Sequence, residues 1–149
     1  MSSKKTIIEL NWKGTIMQTA DWITAASALI AVTTYIIDKL IARREKTNNE
    51  LNRLFEVYYE TIPRKKTDKD YFLKTRKYLG EIERFCIAIN SHVYSKCTWR
   101  KYGSKFFVML YDNNKEYVID KTRNDFKDQE KYIYFENLVI EFKRKKKVR

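Results

Sequence analysis

The order of hydrophobic and polar positions divides the chain into one uncharged run followed by several amphipathic ones. Residues 15–37 hold a single charge, Asp21, and at ~1.5 Å per residue they make about 35 Å of helix. Behind this run, "EKTNNELNRLFEVYYETIP" places Leu51, Leu54, Phe55, Tyr58 and Ile62 at three- and four-residue spacings, so the helix continues from Lys39 until Pro63 stops it. "RKKTDKD" reads as a charged linker. Within it Thr67 and Asp70 have the spacing of a capping box, which predicts a helix over 67–90. That helix carries Phe72, Leu79, Ile82, Cys86 and Ile89 on one face, with Tyr78 and Phe85 widening the stripe. Asn90 and Ser91 supply a stop, and "HVYSKCT" reads as a connection. The contiguous Phe106, Phe107, Val108, Met109 and Leu110 fit either a buried helix turn or a strand; the reading adopted is a helix broken near Asp112-Asn113-Asn114. The last run, "DFKDQEKYIYFENLVIEFKRKKK", aligns Tyr132, Phe135, Leu138, Val139 and Phe142 on one face and ends in cations.

The expected fold is all-α, an N-terminal transmembrane helix followed by a small cytoplasmic bundle of about four helices. Its divisions are a short N-terminal tail at 1–14, the transmembrane helix and basic flank at 15–42, the cytoplasmic helical domain at 43–142, and a basic tail at 143–149. Three glycines and one proline agree with a helical rather than a turn-rich chain.

The uncharged run is long enough for a hydrocarbon core of about 30 Å. Thr, Ala and Ser dilute its apolarity, and an aspartate at a helix centre costs ~3 kcal/mol on insertion scales, a cost that falls toward the end where Asp21 lies. Trp22 and Tyr35 stand near opposite ends of the run, as interfacial aromatics do. Two alternatives stay open, a buried core helix of a soluble protein and an interfacial helix, though the run lacks the charged face the latter needs. A cleaved signal peptide fits poorly, because the polar lead is 14 residues long and the small "ASA" at 26–28 lies inside the apolar run. Lys39, Arg43, Arg44, Lys46 and Arg53 follow the run, against Lys4, Lys5 and Lys13 before it. By the positive-inside bias the protein is a single-pass cell-membrane protein with a cytoplasmic C-terminal domain, and Trp22, Tyr35, Lys39, Arg43 and Arg44 lie at the membrane interface. Ala20, Thr24, Ala28 and Ala31 share a helix face that would admit another helix closely, which makes a homo-oligomer one partner class.

Charge changes the picture behind residue 38. The chain has 31 Lys and Arg against 19 acids, a net charge of +12; before residue 39 its cations are balanced by Glu9, Asp21 and Asp38, so the excess lies on 39–149. Such asymmetry points to an acidic partner, nucleic acid or anionic lipid. Arg64, Lys65 and Lys66 form one cluster and Lys143, Arg144, Lys145, Lys146 and Lys147 another. Near an anionic leaflet each cation contributes ~1 kcal/mol, and the same cations would bind nucleic-acid phosphates without sequence preference. A solvated tail with no partner explains them as well. Trp99, with Arg100, Lys101 and Tyr102 beside it, could stack on single-stranded bases, although such aromatics are more often core.

Candidate chemistry is sparse. His92 is the single histidine and shows no nucleophile and acid beside it in sequence, so a loop position explains it more cheaply than a triad. Cys86 falls on an apolar helix face and reads as packing, and Cys86 with Cys97 lacks the pattern of a disulfide scaffold or a zinc site. Glu81 and Glu83 point to different faces, and Glu81 with Arg84 makes an ordinary ion pair. No glycine-rich phosphate loop occurs. The expectation is a protein that is no enzyme, with no catalytic residue, metal or cofactor.

Taken together, "DWITAASALIA", the helix "YLGEIERFCIAINSHVY" and "YGSKFFVMLYD" resemble a family of small single-pass membrane proteins of Gram-positive bacteria and their prophages, over residues about 20–140. That family has no assigned activity, so no catalytic residue carries over. The resemblance implies a helical cytoplasmic domain behind an anchor, and it is similar to prophage superinfection-exclusion proteins, which sit at the membrane and stop incoming phage DNA. Two functions follow as expectations. One is a membrane-anchored, non-enzymatic interaction protein that excludes phage through contact with a phage injection component or a host membrane protein. The other is a membrane-tethered nucleic-acid binder acting on phage RNA or DNA.

Overall fold

A computed structural model of the chain describes the backbone of residues 3–63 and 65–147 and the side chains of residues 21–63 and 65–146. Every regular element among the described residues is helical. Helix α1 runs Ser3–Thr61, and the chain divides into two compact units, Met1–Ile41 and Ala42–Arg149.

In the first unit α1 buries no side chain among the described residues. From residue 21 to residue 41 every side chain is exposed.

The second unit builds a core from α1 after residue 41 and the helices behind it. Helix α1 stops at Thr61 because Ile62 precedes Pro63, a position disfavoured for helical backbone. Residues 65–70 turn, with the Tyr71 amide donating to the Asp68 carbonyl at 2.9 Å, and α2 spans Tyr71–Asn90. The expected capping box does not form: Asp70 is the N-cap, in helical conformation, and makes no side-chain capping bond. Of the face expected of α2, Leu79, Ile82, Phe85, Cys86 and Ile89 with Tyr78 are buried, Phe72 is only half-buried, and Tyr71 and Thr75 extend the buried face. Helix α2 closes on His92, whose φ of 60° puts it in the left-handed region, while the Val93 amide returns to the Ala88 carbonyl at 2.9 Å. The loop position expected of His92 thus has a structural task.

Part of the expected "HVYSKCT" connection is helix. Ser95 caps α3, Lys96–Tyr102, its hydroxyl accepting from the Thr98 amide at 3.3 Å. Buried Thr47 of α1 anchors this cap, since its hydroxyl oxygen accepts from the Ser95 amide at 2.7 Å. Gly103 separates α3 from α4, Ser104–Asn114. A Cβ at Gly103 would stand 2.7 Å from Leu51 Cδ2, so the corner needs glycine for its close approach to α1.

The break expected at Asp112-Asn113-Asn114 is a change of helical pitch. Helix α4 passes into a π-helical segment, Lys115–Asp120, and then α5, Lys121–Phe126. Buried Asn114 stands at the switch: its amide nitrogen donates to the Leu110 carbonyl at 2.9 Å and its oxygen accepts from the Tyr71 hydroxyl at 2.7 Å. A side chain that occupies a carbonyl one turn back competes with the regular ladder and favours a slipped one. Lys127 and Tyr132, both at positive φ, bound the turn that leads to α6, Ile133–Lys147. Glu83 of α2 supplies the N-terminal cap of α6, accepting from the amides of Tyr134 at 3.0 Å and Phe135 at 2.8 Å. Burial raises the Glu83 carboxyl above its ordinary value, and the two amide bonds offset this only in part.

Aromatic rings dominate the centre. Phe107 is fully buried, with Phe85, Trp99 and Phe135 packed around it at ring-centroid distances of 5.6, 5.8 and 5.9 Å. Leu51, Leu54, Leu79, Ile82, Leu110 and Val139 fill the remaining core.

Candidate membrane and anion-binding surfaces

Two surfaces merit a functional reading, one on each unit. On the first, the helical stretch Asp21–Thr61 contains a window long and apolar enough to cross a membrane, and none of that window is buried. Trp22 is 77% exposed and Ile23, Leu29 and Ile30 about as much. A core helix of a soluble protein would bury such residues, so this helix is not serving as one within the chain. The polar residues that dilute the run satisfy themselves locally. Ser27 donates to the Ile23 carbonyl at 2.8 Å, Thr33 to Leu29 at 2.6 Å and Thr34 to Ile30 at 2.9 Å. With its hydroxyls hydrogen-bonded to its own backbone, the helix presents fewer open donors to hydrocarbon than its composition suggests.

Among the expected interface residues, Trp22, Tyr35, Lys39 and Arg44 are exposed and Arg43 is half-buried. The Lys39 ammonium lies 4.8 Å from the Tyr35 ring centroid, so the cation and the aromatic form one local group. Of the small-residue face, Thr24, Ala28 and Ala31 are exposed, and the side chain of Ala20 lies outside the described residues.

On the second unit the two basic clusters reach neighbouring points. Lys66 donates to the Asn113 carbonyl at 2.7 Å, and Lys143 pairs with Asp112 at 2.5 Å. Lys65 is exposed; Arg64 and the side chain of Lys147 lie outside the described residues. The expected stacking platform does not exist in the form proposed. Trp99 is 1% exposed and belongs to the core, while Tyr102 is exposed with the Lys101 ammonium 4.9 Å from its ring centroid. Glu81 pairs with Arg53 of α1 at 2.8 Å rather than with Arg84, a partner 28 residues away that helical spacing cannot reveal.

The sequence reading missed the depth of the second surface. Phe142 of α6, placed on the expected core face, packs one edge of its contact against Trp99, with centroids 6.0 Å apart. It also lines two adjoining open depressions between α6 and the α3–α4 corner, about 750 and 510 Å³ in volume. Cys97 and Val108 share the lining with it, and Lys101, Lys105, Arg144 and Lys146 stand among the surrounding cations. Those four cations have no carboxylate within ion-pair reach among the described residues, since the acids nearby are already taken. Lys105 carried no signal as a site, because only the fold brings α4 beside α6.

Glu141 is the acid that ties α3 to α6. It binds Lys96 at 2.5 Å, Arg100 at 2.8 Å and Lys145 at 2.9 Å. Burial acts to raise its carboxyl, but the hydrogen bonds and charges of Lys96 and Lys145 outweigh burial and bring it down to about 2. A carboxyl depressed in the folded state contributes stability that is complete above its ordinary value of 4.5 and is lost as pH falls toward about 2. Because the side chain is 35% exposed, solvent screening limits this to about 1 kcal/mol. Thermal unfolding followed between those two pH values should show Glu141→Gln less stable than the parent at the upper end, with the difference closing as pH falls. A constant difference across the window would remove the carboxylate as its source.

Cys86 is fully buried, and burial raises its thiol well above the ordinary value, consistent with the expected packing role. Cys97 is an exposed free thiol. No group of three His, Cys, Asp or Glu side chains able to hold a metal ion occurs among the described residues.

Residues 10–142 match DUF4760, a domain of unknown function. The chain belongs to the DUF4760 family. The match takes in the exposed helix and the helical unit as far as Phe142, and leaves Arg144 and Lys146 of the second surface outside it. Neither the curated proteins nor the solved structures provide a match to the chain.

Proposed function

We propose that this DUF4760 chain is a single-pass membrane-anchored interaction protein. Its basic unit lies on the cytoplasmic side, and it acts without turnover, stopping phage DNA at the membrane through contact with a phage injection component or a host membrane protein. The observation that carries the anchoring is the complete exposure of residues 21–41 on a helix long and apolar enough to span. Left in water, such a surface would expose far more contiguous apolar area than a soluble monomer presents. The cation excess after the run supports the orientation. The phage setting rests on the resemblance to prophage exclusion proteins.

The expected result is that the protein fractionates with membranes and resists alkaline carbonate extraction. A tag at its C-terminus should be protected from external protease in intact spheroplasts while one at its N-terminus is cut. Recovery in the soluble fraction would sink the anchor, and the reverse protease pattern would place the basic unit outside.

The cations without carboxylate partners favour a second reading, a membrane-tethered protein that binds phage RNA or DNA. A mobility-shift assay with the detergent-solubilised full chain separates the two, since only the second requires a shifted band that weakens steeply with salt.

A further inference from the structure

We propose that the groove around Phe142 binds the headgroup region of an anionic phospholipid and so holds the basic unit on the leaflet beside its own anchor. The proposal rests on the membrane anchoring inferred above and adds a ligand class to a surface on the other unit.

Three observations carry it. First, the groove combines an apolar lining with cations. Phe142, Val108 and Cys97 supply the apolar lining, and Lys101, Lys105, Arg144 and Lys146 line it as well, without carboxylate partners among the described residues. An amphiphile with a phosphate and a hydrocarbon part is complementary to both; a free phosphate would use only the cations. Second, the feature that a nucleic acid would need is reduced. Trp99 is buried, and the exposed ring of Tyr102 already lies beside the Lys101 ammonium, so flat aromatic surface for base stacking is scarce here. Third, the groove is covalently joined to the candidate span, so anionic lipid meets it at high effective concentration and a weak site suffices.

Glu141 and Asp112 fit this arrangement. They engage Lys96, Arg100 and Lys145, and Lys143, respectively, which leaves Lys105, Arg144 and Lys146 for a ligand, with Lys101 beside the Tyr102 ring.

Cys97 offers a direct readout, because it lines the groove and is exposed, whereas Cys86, the other cysteine of the chain, is buried and serves as an internal reference. The full chain is reconstituted into lipid discs of phosphatidylcholine alone and into discs of equal parts phosphatidylcholine and phosphatidylglycerol. The rate of Cys97 alkylation by an uncharged polyethylene glycol maleimide is then compared. The anionic discs should slow it by about fivefold or more, the effect expected when at least one cation's worth of lipid attraction acts at the groove. Lys101→Gln, Lys105→Gln and Lys146→Gln, all at exposed positions, are combined in one variant that should return the rate in anionic discs to within about twofold of the neutral-disc value.

Equal rates in the two discs would overturn the proposal, as would slowing that the triple variant retains. A single-stranded oligonucleotide added to neutral discs supplies the other source of phosphate. Protection by it stronger than that by phosphatidylglycerol would overturn the lipid assignment in favour of nucleic acid. Should the chain fail to co-elute with discs of either kind, the anchoring itself falls and this proposal with it. Co-elution with unchanged Cys97 reactivity would reject the groove alone.

Discussion

Cells expressing the chain without residues 1–38 should lose all protection against phage, while cells expressing the full chain adsorb phage normally yet accumulate little intracellular phage DNA. Phage DNA introduced by transfection or induction should replicate in both. The reason is location rather than folding. The deletion leaves the second unit, Ala42–Arg149, with its aromatic core complete, because that core draws on α1 only from Leu51 onward. What it removes is an exposed stretch at which Trp22, Ile23, Leu29, Ile30 and Val32 are each more than half exposed. Each Ile, Leu or Val among them transferred to lipid would contribute about 0.3–0.6 kcal/mol on insertion scales, and the sum over the run would set the anchor. A bundle cut loose from it would distribute through the cell and lose the high local concentration on which a blocking contact depends. Replacing Lys143, Arg144, Lys145, Lys146 and Lys147 by Gln should instead leave partial activity, because the span still holds the protein where it acts. Normal phage DNA accumulation in cells expressing the full chain would reject the exclusion reading. Protection surviving the truncation would move the assignment to the nucleic-acid binder.

Local pattern in the chain was enough for the helices and for most of the core, and insufficient wherever the outcome depended on elements far apart in sequence. The period of α2 is legible because each of its buried residues repeats a spacing of three or four, and the same holds for Leu51 and Leu54 of α1. The capping box of Thr67 and Asp70 failed because the helix begins later, at Tyr71, which leaves both residues in the preceding turn with Asp70 at the N-cap. The π-helical segment was unreadable, since its trigger pairs Asn114 with Tyr71, 43 residues away. A cluster of polar residues at 112–114 therefore looked like a break. Glu83 misled in the same way: from sequence it is one acid on a helix, and in the fold it caps another helix 51 residues on.

The candidate surfaces show the same division. The exposed helix was legible because a long uncharged run shows in the composition of one segment, with no tertiary partner involved. The cationic clusters were legible as charge, but the groove around Phe142 was not. Phe142 sits at a position whose spacing marks it as core, and part of its surface does pack against Trp99. That it also lines an open depression depends on the residues of α3 and α4 that the fold brings beside it, Cys97, Lys101, Lys105 and Val108.

Phe107→Ala tests the core independently of either surface. The ring is fully buried and has Phe85, Trp99 and Phe135 around it, so truncation removes packing from α2, α3 and α6 together. Truncating a buried phenylalanine to alanine costs about 3–5 kcal/mol, through lost burial and the cavity that rigid neighbours leave. Domains of this size are stable by about 5–15 kcal/mol, so the variant would lose a substantial fraction of its stability. Thermal unfolding of the full chain in lipid discs, read by tyrosine and tryptophan fluorescence, should show the midpoint lowered by about 15 °C or more. Phe107→Leu keeps much of the volume and should cost less than about 2 kcal/mol. Anchoring should be untouched, since Phe107 belongs to the second unit and the exposed run of residues 21–41 to the first. The alanine variant should therefore still resist carbonate extraction while its second unit becomes sensitive to protease. A midpoint within a few degrees of the parent would mean that the rings do not pack as placed here. Loss of the alanine variant from membranes would mean that the span does not anchor on its own.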